Sequence, residues 1–162
     1  MENEKHILSS RRLYSIRTQG YCDYSDANLS ELAFGNRFAY YLCSFFLLIG
    51  VISANIPVLS AMMVVSIFGI MLPNHPFDYI YNNLLSKPMK KAKLPRRSKQ
   101  LKFACIVSTI WLAATIYLFY TNLAIAGYVS GGVLFSIAFL VSTTDFCIPS
   151  LVYNFLFKYQ VK

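Results

Sequence analysis

Four cysteines, two histidines and seven acidic residues make up the inventory for thiol, metal and carboxylate chemistry in this chain of 162 residues. Cys147 stands out, in Asp145-Phe146-Cys147-Ile148-Pro149-Ser150, where a long apolar run ends. A thiol does redox or nucleophilic work as a thiolate, favoured by a helix amino terminus, a cation or a second cysteine. Pro149 can open a terminal helix and bring Cys147 near its positive end. Asp145 acts the other way, because a nearby carboxylate disfavours the thiolate. Ser150 stands where a dithiol motif needs its second cysteine, so an oxidised Cys147 requires a distant resolver, for which Cys22 is the candidate. Cys43 and Cys105 fall inside apolar runs and read as small apolar fillers. The simpler account of the segment, and the one it fits better, is a helix exit onto an aromatic interface anchor.

His75 lies in Pro73-Asn74-His75-Pro76. A zinc ion needs three or four ligands of suitable type. His75, Asp78, Asp145 and Cys147 would form a nominal set if their segments meet, but no ligand spacing supports one, and no metal is expected. The stretch reads instead as a turn in which the prolines end a helix and Asn74 caps it. Asp78 and Asp145 hold similar stations and are expected to cap helices or pair with basic residues. No cofactor is expected either: the apolar runs contain no histidine to ligate a membrane haem. They also place no ionisable side chain in mid-span, which excludes an independent ion-coupled transporter.

The elements that position these residues follow from where charge is missing. Residues 38–77 contain no Asp, Glu, Lys or Arg, and neither do residues 103–144. A soluble helix needs a polar face, so runs of this length belong in a bilayer. Each suits two spans, about 38–54 and 57–72, then 101–120 and 123–141. The turns at Asn55-Ile56-Pro57 and Thr121-Asn122 fold each pair into an antiparallel hairpin. The expected fold is thus all-α, with four transmembrane helices in two hairpins and short interfacial helices. A cytoplasmic extension with an interfacial helix occupies residues 1–35, the transmembrane domain 36–147 with a basic loop 73–100, and an interfacial segment 148–162.

That loop carries Lys87, Lys90, Lys91, Lys93, Arg96, Arg97, Lys99 and Lys102, whereas both hairpin tips are uncharged. The positive-inside rule puts the loop and both termini in the cytoplasm, for a multi-pass inner-membrane protein. The same cations attract anionic lipid headgroups and need no nucleic acid to explain them. Gly50 with Ala54, and Gly127 with Gly131, place small residues four apart, which lets helices approach closely within the bundle or against another subunit or copy.

The halves echo one another: Arg37-Phe38-Ala39 opens one and Lys102-Phe103-Ala104 the other. Tyr81-Asn82 and Tyr153-Asn154 close them, consistent with a parallel duplication. Together with Pro73-Asn74-His75-Pro76-Phe77-Asp78, Pro95-Arg96-Arg97 and Phe146-Cys147, these stretches give a resemblance over residues 22–157. The chain resembles an uncharacterised family of bacterial integral membrane proteins, domain of unknown function 4395. The resemblance implies four spans with a cysteine motif after the last, and a cysteine ahead of the first that Cys22 matches. The family tends to Cys-x-Gly-Cys where Cys147-Ile148-Pro149-Ser150 stands here, and to a tighter Pro-Arg-Phe-Ala than this chain has.

The function these features favour is non-catalytic, an accessory or partner-binding subunit of a membrane complex. The alternatives are a sulfur or redox relay at the cytoplasmic leaflet using Cys147, and a carrier or channel for a small neutral solute.

Overall fold

The computed structural model describes residues 8–89 and 91–158, so Lys90 and both extreme termini lie outside the described residues. Among the described residues the chain is all-helical, with seven α-helices and no strand. They are α1 (Ser10–Thr18), α2 (Asp26–Ile52), α3 (Ile56–Met71), α4 (Pro76–Ile80), α5 (Lys99–Tyr120), α6 (Ala124–Thr144) and α7 (Ile148–Leu156). A π-helical turn over Tyr81–Leu85 continues α4.

Three helices, α2, α5 and α6, are long and apolar enough to cross a membrane. The fourth expected span is different. With 16 residues, α3 rises only about 24 Å, against about 30 Å of hydrocarbon. It qualifies only together with Pro76–Leu85, from which it is bent by 79°. The chain therefore has three to four helices able to span, the mark of a multi-pass membrane protein.

Gly35 does not divide an interfacial helix from the first span, as its place in the sequence suggests. Residues 26–52 form one continuous helix, capped by the Ser25 side chain on the Asn28 amide. Glycine inside a helix costs about 1 kcal/mol, and here its missing side chain makes room: a Cβ on Gly35 would lie 2.6 Å from the Tyr81 ring. At the far end Ala54 has φ +46° and belongs to the turn, so it is not the helical packing residue expected. Asn55 then caps α3 by accepting from the Val58 amide at 3.0 Å.

The dominant packing joins the two halves: α3 lies along α5 and α2 along α6, more extensively than α2 on α3 or α5 on α6. Leu47, Val51, Leu59, Met62, Leu112 and Leu134 fill the centre. Glycines set the approach. A Cβ on Gly131 would meet Val51 at 2.5 Å, one on Gly50 would meet Leu59 at 2.8 Å, and one on Gly127 would meet Phe119 at 2.8 Å. These residues close the bundle itself. Polar side chains add cross-links, with Trp111 Nε1 donating to Ser130 Oγ at 3.0 Å and Thr115 bonded to the same hydroxyl at 2.8 Å.

The amino-terminal extension is docked. Gln19 is fully buried; its amide donates to the Asp145 carbonyl at 2.6 Å and its side-chain oxygen accepts from Asn36 at 2.9 Å. The Ser98 hydroxyl donates to the Gln19 carbonyl, and Asn154 reaches Thr18. At the other terminus α7 buries Ser150 and Asn154 and turns Val152 and Phe155 outward. A polar face inward and an apolar face outward suits a helix lying against lipid.

Candidate functional site

The bend after α3 builds the site. His75 caps α4, its Nδ1 accepting from the Phe77 amide at 3.3 Å, while Asp78 accepts from the His75 amide at 3.0 Å. This reciprocal cap aims the Asp78 carboxylate back at the segment leading into α5. There the Arg97 amide donates to the Pro73 carbonyl at 2.8 Å. Arg97 Nε and Nη2 reach the two Asp78 oxygens at 2.6 and 3.0 Å.

Both side chains are about 95% or more buried, at 5% and 3% exposure. Arg97 is therefore not one of the surface cations with which its sequence position groups it. Lys87, Lys91, Lys93, Arg96 and Lys99 are exposed and Lys102 is half-buried. Burial works against the Arg97 charge, and the paired carboxylate more than offsets it. Burial likewise pushes His75 down to about 3, with the Arg97 charge acting in the same direction, so the imidazole is neutral. Because Nδ1 accepts a hydrogen bond, the ring proton sits on Nε2.

One Arg97 nitrogen is left over. Nη1 lies 3.8 Å from Cys105 Sγ, and the guanidinium stands 5.8 Å over the Tyr40 ring. The Tyr40 hydroxyl is buried and makes no close hydrogen bond, with the Cys147 sulfur as the weak acceptor beside it. These groups line a partly enclosed cavity of about 110 Å³ that continues along Leu47, Met62 and Leu134 into the apolar centre. Cys43 from α2, Cys105 from α5 and Cys147 at the start of α7 all line it. Read as fillers in the sequence, Cys43 and Cys105 are the thiols that share a cavity with Cys147. Neither is adjacent to it in sequence, and only the helix packing reveals the cluster.

Cys22 has no place there; its thiol contacts the Arg17 carbonyl at 3.4 Å. Cys147 is buried, which pushes its thiol up, and the Ser150 hydroxyl donating at 3.1 Å offsets this only in part. The thiol is held protonated.

Asp145 sits at the end of α6 in the left-handed conformation, φ +62°. It accepts from Arg37 at 2.7 and 2.6 Å and from Arg12 at 2.9 Å. Both candidate acids are thus occupied by arginines. Among the described residues no three His, Cys, Asp or Glu side chains come together as a metal site. His75 and Cys147 share the cavity without the two acids.

No curated protein and no solved structure matches the chain. A family model does match, over residues 34–158, from the middle of α2 through α7 and hence over every residue of the cavity. The docked extension bearing α1, Gln19 and Cys22 precedes the matched residues. The chain belongs to the family described as Domain of unknown function (DUF4395).

Proposed function

We propose that the protein is a non-catalytic, four-span protein of an inner membrane that holds a small, largely apolar molecule in its thiol-lined cavity, near the cytoplasmic leaflet. The spans are α2, α3, α5 and α6 as two antiparallel hairpins, with both termini and the basic segment in the cytoplasm. One observation carries the reading: three helices each deliver a cysteine to a single cavity, beside a buried arginine and a tyrosine hydroxyl that makes no close hydrogen bond. Pockets with apolar walls and a few convergent polar groups are the usual form of small-molecule sites. Gly50, Gly127 and Gly131 face neighbours inside the bundle, so these small residues themselves offer no outward docking face.

Native mass spectrometry after gentle extraction tests the reading. A small molecule should accompany the protein and be missing from Ala138→Phe, which fills the cavity. Its absence from both would overturn the proposal. Sidedness is tested separately: a membrane-impermeant thiol reagent outside should label Asn122→Cys and spare Lys91→Cys.

A second reading, a thiol relay, is favoured by the three thiols that line one cavity. It puts Cys105 with Cys147 in place of the Cys22–Cys147 pair. Intact cellular function in Cys105→Ser and Cys147→Ser would dispose of it.

A further inference from the structure

The polar groups at the Arg97 end of the cavity are mostly donors, and the Ser66 and Ser108 hydroxyls that also line it are bonded to one another. Arg97 Nη1 and His75 Nε2 can only donate. The Tyr40 hydroxyl is buried with only the Cys147 sulfur, a weak acceptor, beside it, and the thiols are weak donors. Among the described residues no acidic side chain lines the cavity. The carboxylate paired with Arg97, Asp78, has both oxygens taken by that arginine and one also by the His75 amide. A buried donor without an acceptor costs about 1–3 kcal/mol, so this end of the cavity favours an acceptor.

The charge balance narrows the class. The lone guanidinium is already matched by Asp78, and the imidazole is neutral, so the lining is close to electroneutral. An anion would enter a low-dielectric site without a free counter-charge, at a cost of several kcal/mol. A neutral carbonyl accepts two hydrogen bonds and brings no such cost. Size narrows it again: an apolar cavity of about 150 Å³ admits benzene, and this one, about 110 Å³ and only partly enclosed, takes at most a single ring that extends through its open side.

Resting on the pocket reading above, we infer that the ligand is a neutral carbonyl compound with an apolar body about one ring in size. Its oxygen sits against Tyr40 and Arg97, and its body lies along Met62 and Leu134. The donors recognise the carbonyl, and the apolar walls recognise the rest.

Three fluorinated probes of equal ring size test this by ¹⁹F NMR on the full chain in lipid nanodiscs, with empty nanodiscs as the partition control. They are 4-fluoroacetophenone, 4-fluorotoluene and 4-fluorobenzoate. The ketone should bind saturably and more tightly than the hydrocarbon, with the carboxylate weakest. Tyr40→Phe should weaken the ketone roughly two- to tenfold, the worth of one hydrogen bond, and leave fluorotoluene unchanged. Retained fluorotoluene binding shows that the variant is folded. Equal binding of ketone and hydrocarbon, a preference for benzoate, or no effect of Tyr40→Phe on the ketone would overturn the carbonyl assignment and leave the pocket standing. If no probe binds saturably, the pocket reading falls with it.

Discussion

Asp78, which follows α3, and Arg97, which precedes α5, meet in a buried two-point ion pair. Asp145, which ends α6, meets Arg37 in α2 in the same way. The acid after each helix pair is thus held by an arginine from the other half, and the two pairs tie the halves together at one end of the bundle. Planar guanidinium against carboxylate gives both strength and a fixed orientation.

Removing one partner of the inner pair leaves a buried charge unmatched. Asp78→Asn should lower stability by about 3–5 kcal/mol, read as a drop in thermal unfolding temperature in detergent. The double change Asp78→Asn with Arg97→Gln should recover much of that loss. A single variant that melts like the wild type would contradict the buried pair.

Gly131 and Gly132 are neighbours with opposite surroundings. A Cβ on Gly131 would meet Val51 at 2.5 Å, whereas one on Gly132 meets nothing within 4 Å. Gly131→Ala should destabilise by about 1–3 kcal/mol through overpacking between α6 and α2. Gly132→Ala should be neutral or stabilising by up to about 1 kcal/mol, since alanine favours helix. Equal effects would mean that α6 does not approach α2 as described.

His75 lies between α3 and α4, and its folded pKa of about 3 is below the ordinary 6.5. Between these values the unfolded chain binds the proton and the folded one does not, so stability falls as pH drops through that window and is fully present above it. From pH 7 to pH 5 the loss is on the order of 2 kcal/mol. His75→Asn, which keeps a capping side chain, should flatten the pH dependence of unfolding in that range. An unchanged slope would place the histidine in water.

The four thiols should not react alike. Cys22 is half-exposed, whereas Cys105 and Cys147 are buried. A bulky maleimide should therefore label Cys22 first, and reach Cys105 and Cys147 only after denaturation, because burial blocks access to the sulfur. Peptide mapping by mass spectrometry reads the order directly. Fast labelling of Cys147 in the native protein would contradict the cavity.

Much of the architecture was legible along the chain. Charge-free runs need no tertiary information to be recognised as bilayer-compatible, and Asn55-Ile56-Pro57 and Thr121-Asn122 carry their turn chemistry locally. The ends of α3, α5 and α6 fall within about three residues of expectation, because caps and prolines act over one helical turn. The boundary expected at residue 35 does not exist as a break, since a glycine that ends a helix and one that admits a neighbouring ring look the same until Tyr81 is in place. Ala54 misled for a related reason: only the turn geometry shows that the helix has already ended.

What the chain determined by itself is a helical object with three or four membrane-capable segments and a basic connector, because hydropathy and local capping are properties of consecutive residues. Which charges and thiols meet was decided only in three dimensions. Arg97 left the basic cluster for Asp78, and Cys43 and Cys105 joined Cys147, because the rotation of each helix is set by close contacts such as Gly131 on Val51 between segments far apart in sequence.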